Sequence, residues 1–497
     1  MISPHTKHSG CEQKRLSRSR KLFALLLAGS LAAGASRAAA QSSNTEEEQP
    51  ARSPASISSG SESPFSGSVP EGQATDRVLP ISFKDAIERA LRNNLGLLIS
   101  SDSLLSAKGQ RWRELSHLLP NLSISATQSV TQIDLEALGF RFNFPGVGTV
   151  VGPSGTFDAR AYLTAPIFNW HAIQRERGAR AGESAAQYDY KSARELVVLA
   201  TGNVYLLTIA AGARVDAAQA QLETAQALFS RAKDQQAAGI SPAIDALRAQ
   251  VEFQARQQQL IVARNDYAKQ KLQLARTIGL PPGQEFNLTD RAPYEPLVPM
   301  SQEEALRRAL NDRPDYLSAI QQVLSAERFR RASTAEHYPT LGFSGNYGAA
   351  GVNIGNSHGV FLAGATLEIP IFAGGRAHAD ALEAEAALRR AKQQLDNLRA
   401  QIDYEVRSAL LDLNAASDQV QVAKSSVELA NQTLDQARDR FSAGVADNLE
   451  VVQAQEAVAA ANENYISSLY SHNVAKVALA RAIGFAEQGV RQYLEGK

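Results

Sequence analysis

Apolar positions recur at three- and four-residue spacing over two very long stretches, 171–236 and 376–441, which predicts two long helices. Each stretch stops at a single glycine, Gly239 or Gly444, and helical spacing resumes at once over 242–278 and 447–483. At 1.5 Å per residue each long helix would span about 100 Å, so it must pack lengthwise in a coiled coil or a helical tube. The returning helices are half as long. Shorter helices over 81–117 and 301–337, each ending before a proline (Pro120, Pro339), are expected to supply the missing half. The first opens on Ser82 with Asp85 three residues on, a capping-box signature.

After each of those prolines the period changes to two. Leu122, Ile124 and Ala126 alternate with Ser123, Ser125 and Thr127, and Leu341, Phe343 and Gly345 alternate with Gly342, Ser344 and Asn346. Return strands are predicted over 156–168 and 359–369. One face of each is apolar (Phe157, Ala159, Ala161, Leu163; Phe361, Ala363, Ala365, Leu367), and Asp158, Arg160, Tyr162 and Thr164 occupy the other face of the first. Strands of about ten alternating residues fit a membrane barrel, but a soluble hairpin with one wet face alternates in the same way. Pro166-Ile-Phe168 and Pro370-Ile-Phe372 end these strands and launch the long helices.

The two halves correspond in order. Ala86 and Ala305, Ala90 and Ala309, and Pro120 and Pro339 are each 219 positions apart; Gly239 and Gly444, and Gly279 and Gly484, are each 205 apart. The change of offset falls between the strands, where the first loop (132–155) is longer than the second (348–359). A duplication is the expected origin. The domain plan is therefore a signal peptide (1–40), a disordered linker (41–77), a first repeat (78–280), a connector (281–300), a second repeat (301–485) and a tail (486–497). Lys14 to Lys21, the apolar run 22–33 and Ala38-Ala39-Ala40 carry the signal reading. The linker is rich in Ser, Pro and Glu.

In the last helix Leu449, Val452, Val458, Tyr465, Ile466, Leu469, Asn473 and Val477 form a stripe, so one side should face water. No apolar run of about 18 residues is expected after the signal, so any membrane crossing must be made by a closed barrel. Net charge is zero with 21% charged residues, which gives no basic surface for nucleic acid. The only cysteine, Cys11, precedes the apolar signal run, so the mature chain has neither disulfide nor lipid anchor at the cleavage site.

Candidate chemistry is sparse. The histidines form no zinc-ligand spacing, and no phosphate-binding glycine loop occurs, so no catalytic residue, metal or cofactor is expected. Gly355-Asn-Ser357-His358-Gly359 fits G-x-S-x-G, but a nucleophile elbow needs a strand-to-helix turn and this one lies between strands. Asp245 and Glu450 each follow a turn glycine by six residues, where a helix dipole favours an acid. A lumen-facing ring of acids is the functional alternative.

The ordered set of signal, duplicated helix–strand–strand–helix halves, Pro-Ile-Phe strand ends and Ala-Gly-Ile/Ala-Gly-Val turns resembles the TolC-type outer-membrane efflux proteins over about 79–485. The resemblance implies an α+β membrane protein: a homotrimer whose four strands per chain make a twelve-stranded barrel in outer-membrane lipid, continuous with a periplasmic α-helical barrel. It implies an exit duct of tripartite efflux or type I secretion, working with a periplasmic adaptor and an inner-membrane pump of RND, ABC or MFS type. A soluble periplasmic coiled-coil scaffold is the alternative. The family's aperture has acids six and nine residues after the second turn glycine; Glu450 matches the first and Gln453 replaces the second. Its closing clasp joins an acid on the first hairpin, matched by Asp245, to a tyrosine and an arginine beside the second turn. Phe441 and Ala446 stand at those places, so closure is expected to rest on other contacts. The turns around Gly239 and Gly444 would serve both gate and adaptor contact.

Overall fold

The computed structural model of the 497-residue chain describes residues 64–139, 149–290, 294, 300–446, 448–487 and 489. The expected signal peptide, most of the linker and most of the tail lie outside these residues. One order of elements occurs twice. The first half has α1 (Phe83–Asn93), α2 (Leu95–Ser116), β2 (Asn121–Asp134), β3 (Val150–Phe168), α3 (Trp170–Ala237) and α4 (Ala243–Thr277). The second has α5 (Gln302–Asp312), α6 (Pro314–Thr334), β5 (Thr340–Gly351), β6 (Ser357–Glu368), α7 (Arg376–Ser442) and α8 (Asn448–Ala482). Two three-residue strands, β1 (Leu79–Ile81) and β4 (Phe286–Leu288), precede and follow the first set.

Helix starts follow local chemistry. Ser82 and Asp85 form the capping box of α1, Asn94 accepts from the Gly96 and Leu97 amides to open α2, and Asn169 accepts from Ala172 to open α3. As expected, α2 and α6 pack on the N-terminal half of the long helices, and α4 and α8 pack on the C-terminal half.

The main sheet runs β2-β3-β5-β6, all antiparallel, and its strands have 14, 19, 12 and 12 residues. Three of the expected bounds are corrected. β3 begins at Val150, not near 156, because its ladder to β2 continues past Thr156 to Val150 opposite Asp134. The second loop shrinks to 352–356, since Gly351 and Ser357 are already paired. The strands exceed ten residues accordingly.

Three further expectations are overturned. Residues 64–77 are not a disordered linker. Phe65 packs on the first core cluster, the Ser68 and Glu71 amides donate to Arg276 O and Gly279 O (both 3.2 Å), and Thr75 binds the Gln284 side chain (2.8 Å). The segment thus satisfies carbonyls that the end of α4 leaves without helical partners, a gain composition does not reveal. The uncharged stretch 196–213 of α3 is long and apolar enough to cross a membrane, although none was expected. More than half of it is buried in protein, with Val197, Val198, Tyr205 and Leu206 in the first core cluster. The α8 stripe is also redrawn: Leu449 is exposed, Val451 and Ala454 are buried in its place, and from His472 onward burial wraps most of the helix.

The parallel pair β1–β4 ties the start of the first half to the segment after α4. The Tyr205 hydroxyl donates to Ile81 O (3.2 Å) and Asp290 (3.0 Å) beneath it, and the Phe83 amide donates to Asp290 (2.6 Å). The halves meet at a buried ionic joint. Arg313, 2% exposed between α5 and α6, reaches Asp315 and Glu405 at 2.7 Å each. Arg481 of α8 lies 3.3 Å from both Asp315 and Glu195 of α3.

Candidate functional site

Two regions gather the sequence-derived candidates: the turns at the far end of the helical hairpins and the four-stranded sheet. The turns are built alike. Gly239 and Gly444 both have φ +71°, a conformation in which a Cβ is strained. The Gly239 and Ile240 amides donate to Gln236 O and Gln235 O (3.0 and 2.9 Å). Those of Gly444 and Val445 donate to Phe441 O and Arg440 O (3.1 and 3.0 Å). This pair of bonds is the Schellman closure that lets a helix stop and the chain reverse.

Around the turns the candidate side chains separate. Asp245 lies in the first turn of α4, its carboxylate 3.8 Å from Arg248 and mostly covered. Glu450 lies in the first turn of α8, with Arg440 Nε of α7 at 3.2 Å. An arginine therefore accompanies Glu450 at the turn. Both partners are exposed, so the pair contributes little to stability. Gln453 is exposed and Ala446 half-buried.

Phe441 points into a small cluster with Leu434, Ala437, Val451, Ala454 and Val458, which Leu228 of α3 also enters. It serves packing where the family's tyrosine would offer a hydroxyl. Arg214 of α3 meets Glu463 of α8 through 2.8 and 3.1 Å contacts and adds a second tie between the hairpins. Sequence reading missed Arg440, Leu228 and this pair. Only the three-and-four spacing of Leu228 from the buried Ala225 and Ala232 carried any signal for one of them.

In the sheet the apolar positions form one surface. Leu122, Ile124 and Ala126 sit opposite Leu163, Ala161 and Ala159; Ala161 and Leu163 sit opposite Tyr347 and Gly345; Phe343 and Tyr347 sit opposite Ala365 and Phe361. This surface is bare: Ile124 is 79% and Phe361 80% exposed. The opposite surface carries Asp158 and Arg160, paired at 2.6 Å, with Asn346 beside them. At the strand ends the extra residue at a register shift between Pro166 and Phe168 is Ile167. Phe168, Ile371 and Phe372 are all exposed there. Ser357 lies at the β5–β6 tip, its hydroxyl donating to Ile354 O (3.2 Å), and not at a strand-to-helix elbow.

Residues 86–280 and 305–485 match the family model described as outer membrane efflux protein. The alkaline protease secretion protein AprF of Pseudomonas aeruginosa is 23% identical over 418 residues, covering 78% of this chain and 83% of the relative. Outer membrane protein TolC of Escherichia coli K12 is 22% identical, covering 74% and 75%. Among solved structures, VceC of Vibrio cholerae superimposes with a TM-score of 0.68 at 19% identity, covering 81% of this chain and 96% of that one. The CmeC outer membrane channel of Campylobacter jejuni gives 0.68 at 18%, covering 83% and 88%.

Proposed function

The chain belongs to the outer membrane efflux protein family, and we propose that it acts as the outer-membrane exit duct of an efflux or type I secretion system. One observation carries this reading: a four-stranded sheet with one continuous, exposed apolar face stands at the end of helices about 100 Å long. Lipid is the solvent that such a face fits. A soluble scaffold would leave it in water, and that reading is set aside.

The assembly follows from what one chain lacks. A lipid-exposed sheet cannot keep free edges, because every backbone group there needs a partner. Four strands are too few to close, so further copies must complete the barrel; three copies give the twelve strands of the family resemblance. The helices support the same step. Tyr404, Leu411, Val422 and Leu429 lie exposed along α7 at intervals of seven, eleven and seven residues. Ile244, Leu247 and Val251 lie exposed along α4 at intervals of three and four residues. Such stripes match helix seams between neighbouring copies.

The signal peptide, the domain plan and the gate assignment belong to this reading. The hairpin turns form the end that meets a periplasmic adaptor and an inner-membrane pump, with Gly239 and Gly444 shaping the tips. Glu450 and Gln453 border the aperture. The chain's own chemistry is passage without catalysis.

Planar-bilayer recording of the purified protein tests the reading. We expect ion-conducting channels whose cation preference falls in Glu450→Ala, since that change leaves Arg440 without its carboxylate partner. Absence of any conductance would contradict the duct. Conducting channels with an unchanged reversal potential under a salt gradient would instead remove Glu450 from the pore lining.

A further inference from the structure

The buried joint between the two halves carries an unequal number of charges. Two guanidiniums, Arg313 and Arg481, face three carboxylates: Asp315 of α6, Glu405 of α7 and Glu195 of α3. With all five ionised the group is one negative charge in excess; with one carboxyl protonated it is neutral.

The three acids are not held alike. Asp315 and Glu405 each contact Arg313 at 2.7 Å. Among the described residues Glu195 pairs only with Arg481, at 3.3 Å, and its buried Oε2 makes no hydrogen bond there. Arg481 is itself divided, with its other terminal nitrogen 3.3 Å from Asp315 and 3.4 Å from Ser192. The neighbouring cation is engaged elsewhere: Arg194 is clasped at 2.9 and 2.6 Å by Glu487, just beyond α8. Lys191 and Asp312 border the same cavity as Glu195, which has a volume of about 780 Å³. A second cavity, of about 790 Å³, lies against Arg313, Glu405 and Arg481. The joint is therefore buried but has room to rearrange.

We propose that Glu195 is a proton-responsive joint. Protonated, it leaves Arg481 to Asp315 and lets α3 of the first half close onto α6 and α8 of the second. Ionised, it competes with Asp315 for Arg481 as an under-solvated charge and loosens that contact. Burial pushes the Glu195 carboxyl up to about 7, against the opposing pull of Arg481. Because the folded value lies above the ordinary one of 4.5, the folded state binds the proton more tightly. The resulting stabilisation is complete below about pH 4.5 and is lost as pH rises through about 7.

Purified full-length protein in detergent tests this, comparing wild type with Glu195→Gln, whose amide mimics the protonated acid. The denaturation midpoints should coincide near pH 4, and the variant should be the more resistant near pH 8. Infrared difference spectra of the wild type should show a protonated-carboxyl C=O band that disappears as pH rises through about 7, and the variant should lack that band. An offset of equal size at both pH values, or no such band in the wild type, would overturn the proposal. The infrared measurement on wild type alone decides if the variant does not fold. Neither readout depends on transport, so a failure of the joint and a failure of the duct reading are distinguishable.

Discussion

Replacing Arg313 with alanine is expected to lower folding stability by about 3–5 kcal/mol, the usual cost of removing one partner from a buried ion pair. The guanidinium lies in protein with four contacts: Asp315 through two nitrogens (3.1 and 2.7 Å), Glu405 (2.7 Å) and the Ala482 carbonyl (3.3 Å). Its loss leaves Asp315 and Glu405 with less neutralising charge at the point where α5, α6, α7 and α8 meet. Lysine keeps the charge but cannot form the fork, so Arg313→Lys should fall between alanine and wild type. Denaturant unfolding in detergent, followed by circular dichroism, would check the order. An Arg313→Ala protein as stable as wild type would show that the packed helices hold this joint without its ions.

The second large effect concerns two adjacent residues of β6. Phe361 faces the bare apolar surface opposite Tyr347, whereas Leu362 lies opposite Asn346 on the surface that bears Asp158 and Arg160. Phe361→Arg places a cation on the proposed lipid face, at a cost of about 2–4 kcal/mol near the bilayer midplane. Leu362→Arg places the same cation on the proposed lumen face, where water can reach it. We expect outer-membrane yield to collapse for Phe361→Arg and to hold for Leu362→Arg. Equal yields, or the reverse order, would contradict the assignment of the two faces. Hydrophobicity alone treats the two sites alike, so the comparison isolates orientation.

Much of this architecture was legible wherever one local rule acted repeatedly. The turns at Gly239 and Gly444 could be read because a helix that reverses needs a left-handed residue, and the two glycines stop two otherwise unbroken patterns. Ile124 and Phe361 could be read because a strand alternates its faces. The segment 64–77 was misread because its order comes from Ser68 and Glu71 binding carbonyls some 200 residues away, which composition does not reveal. The pair β1–β4 is three residues long and parallel, too short for any period to appear. At the candidate gate, Glu450 was found by its distance from Gly444. Its partner Arg440 precedes that glycine and meets it only once the hairpin closes. Arg313 and Glu405 are 92 positions apart and match no motif, so their joint emerges only from packing.

The most direct measurement of the central claim is the topology of the two ends. The only natural cysteine is Cys11, so single cysteines are easily introduced in a Cys11→Ser background. Ser357→Cys lies at the β5–β6 tip and Ser442→Cys at the turn between α7 and α8. Intact cells treated with a membrane-impermeant maleimide should label the protein carrying Ser357→Cys. The protein carrying Ser442→Cys should react only after the outer membrane is permeabilised. Labelling of both in intact cells, or of neither until permeabilisation, would contradict a chain that crosses the outer membrane by its sheet and extends inward by its hairpins.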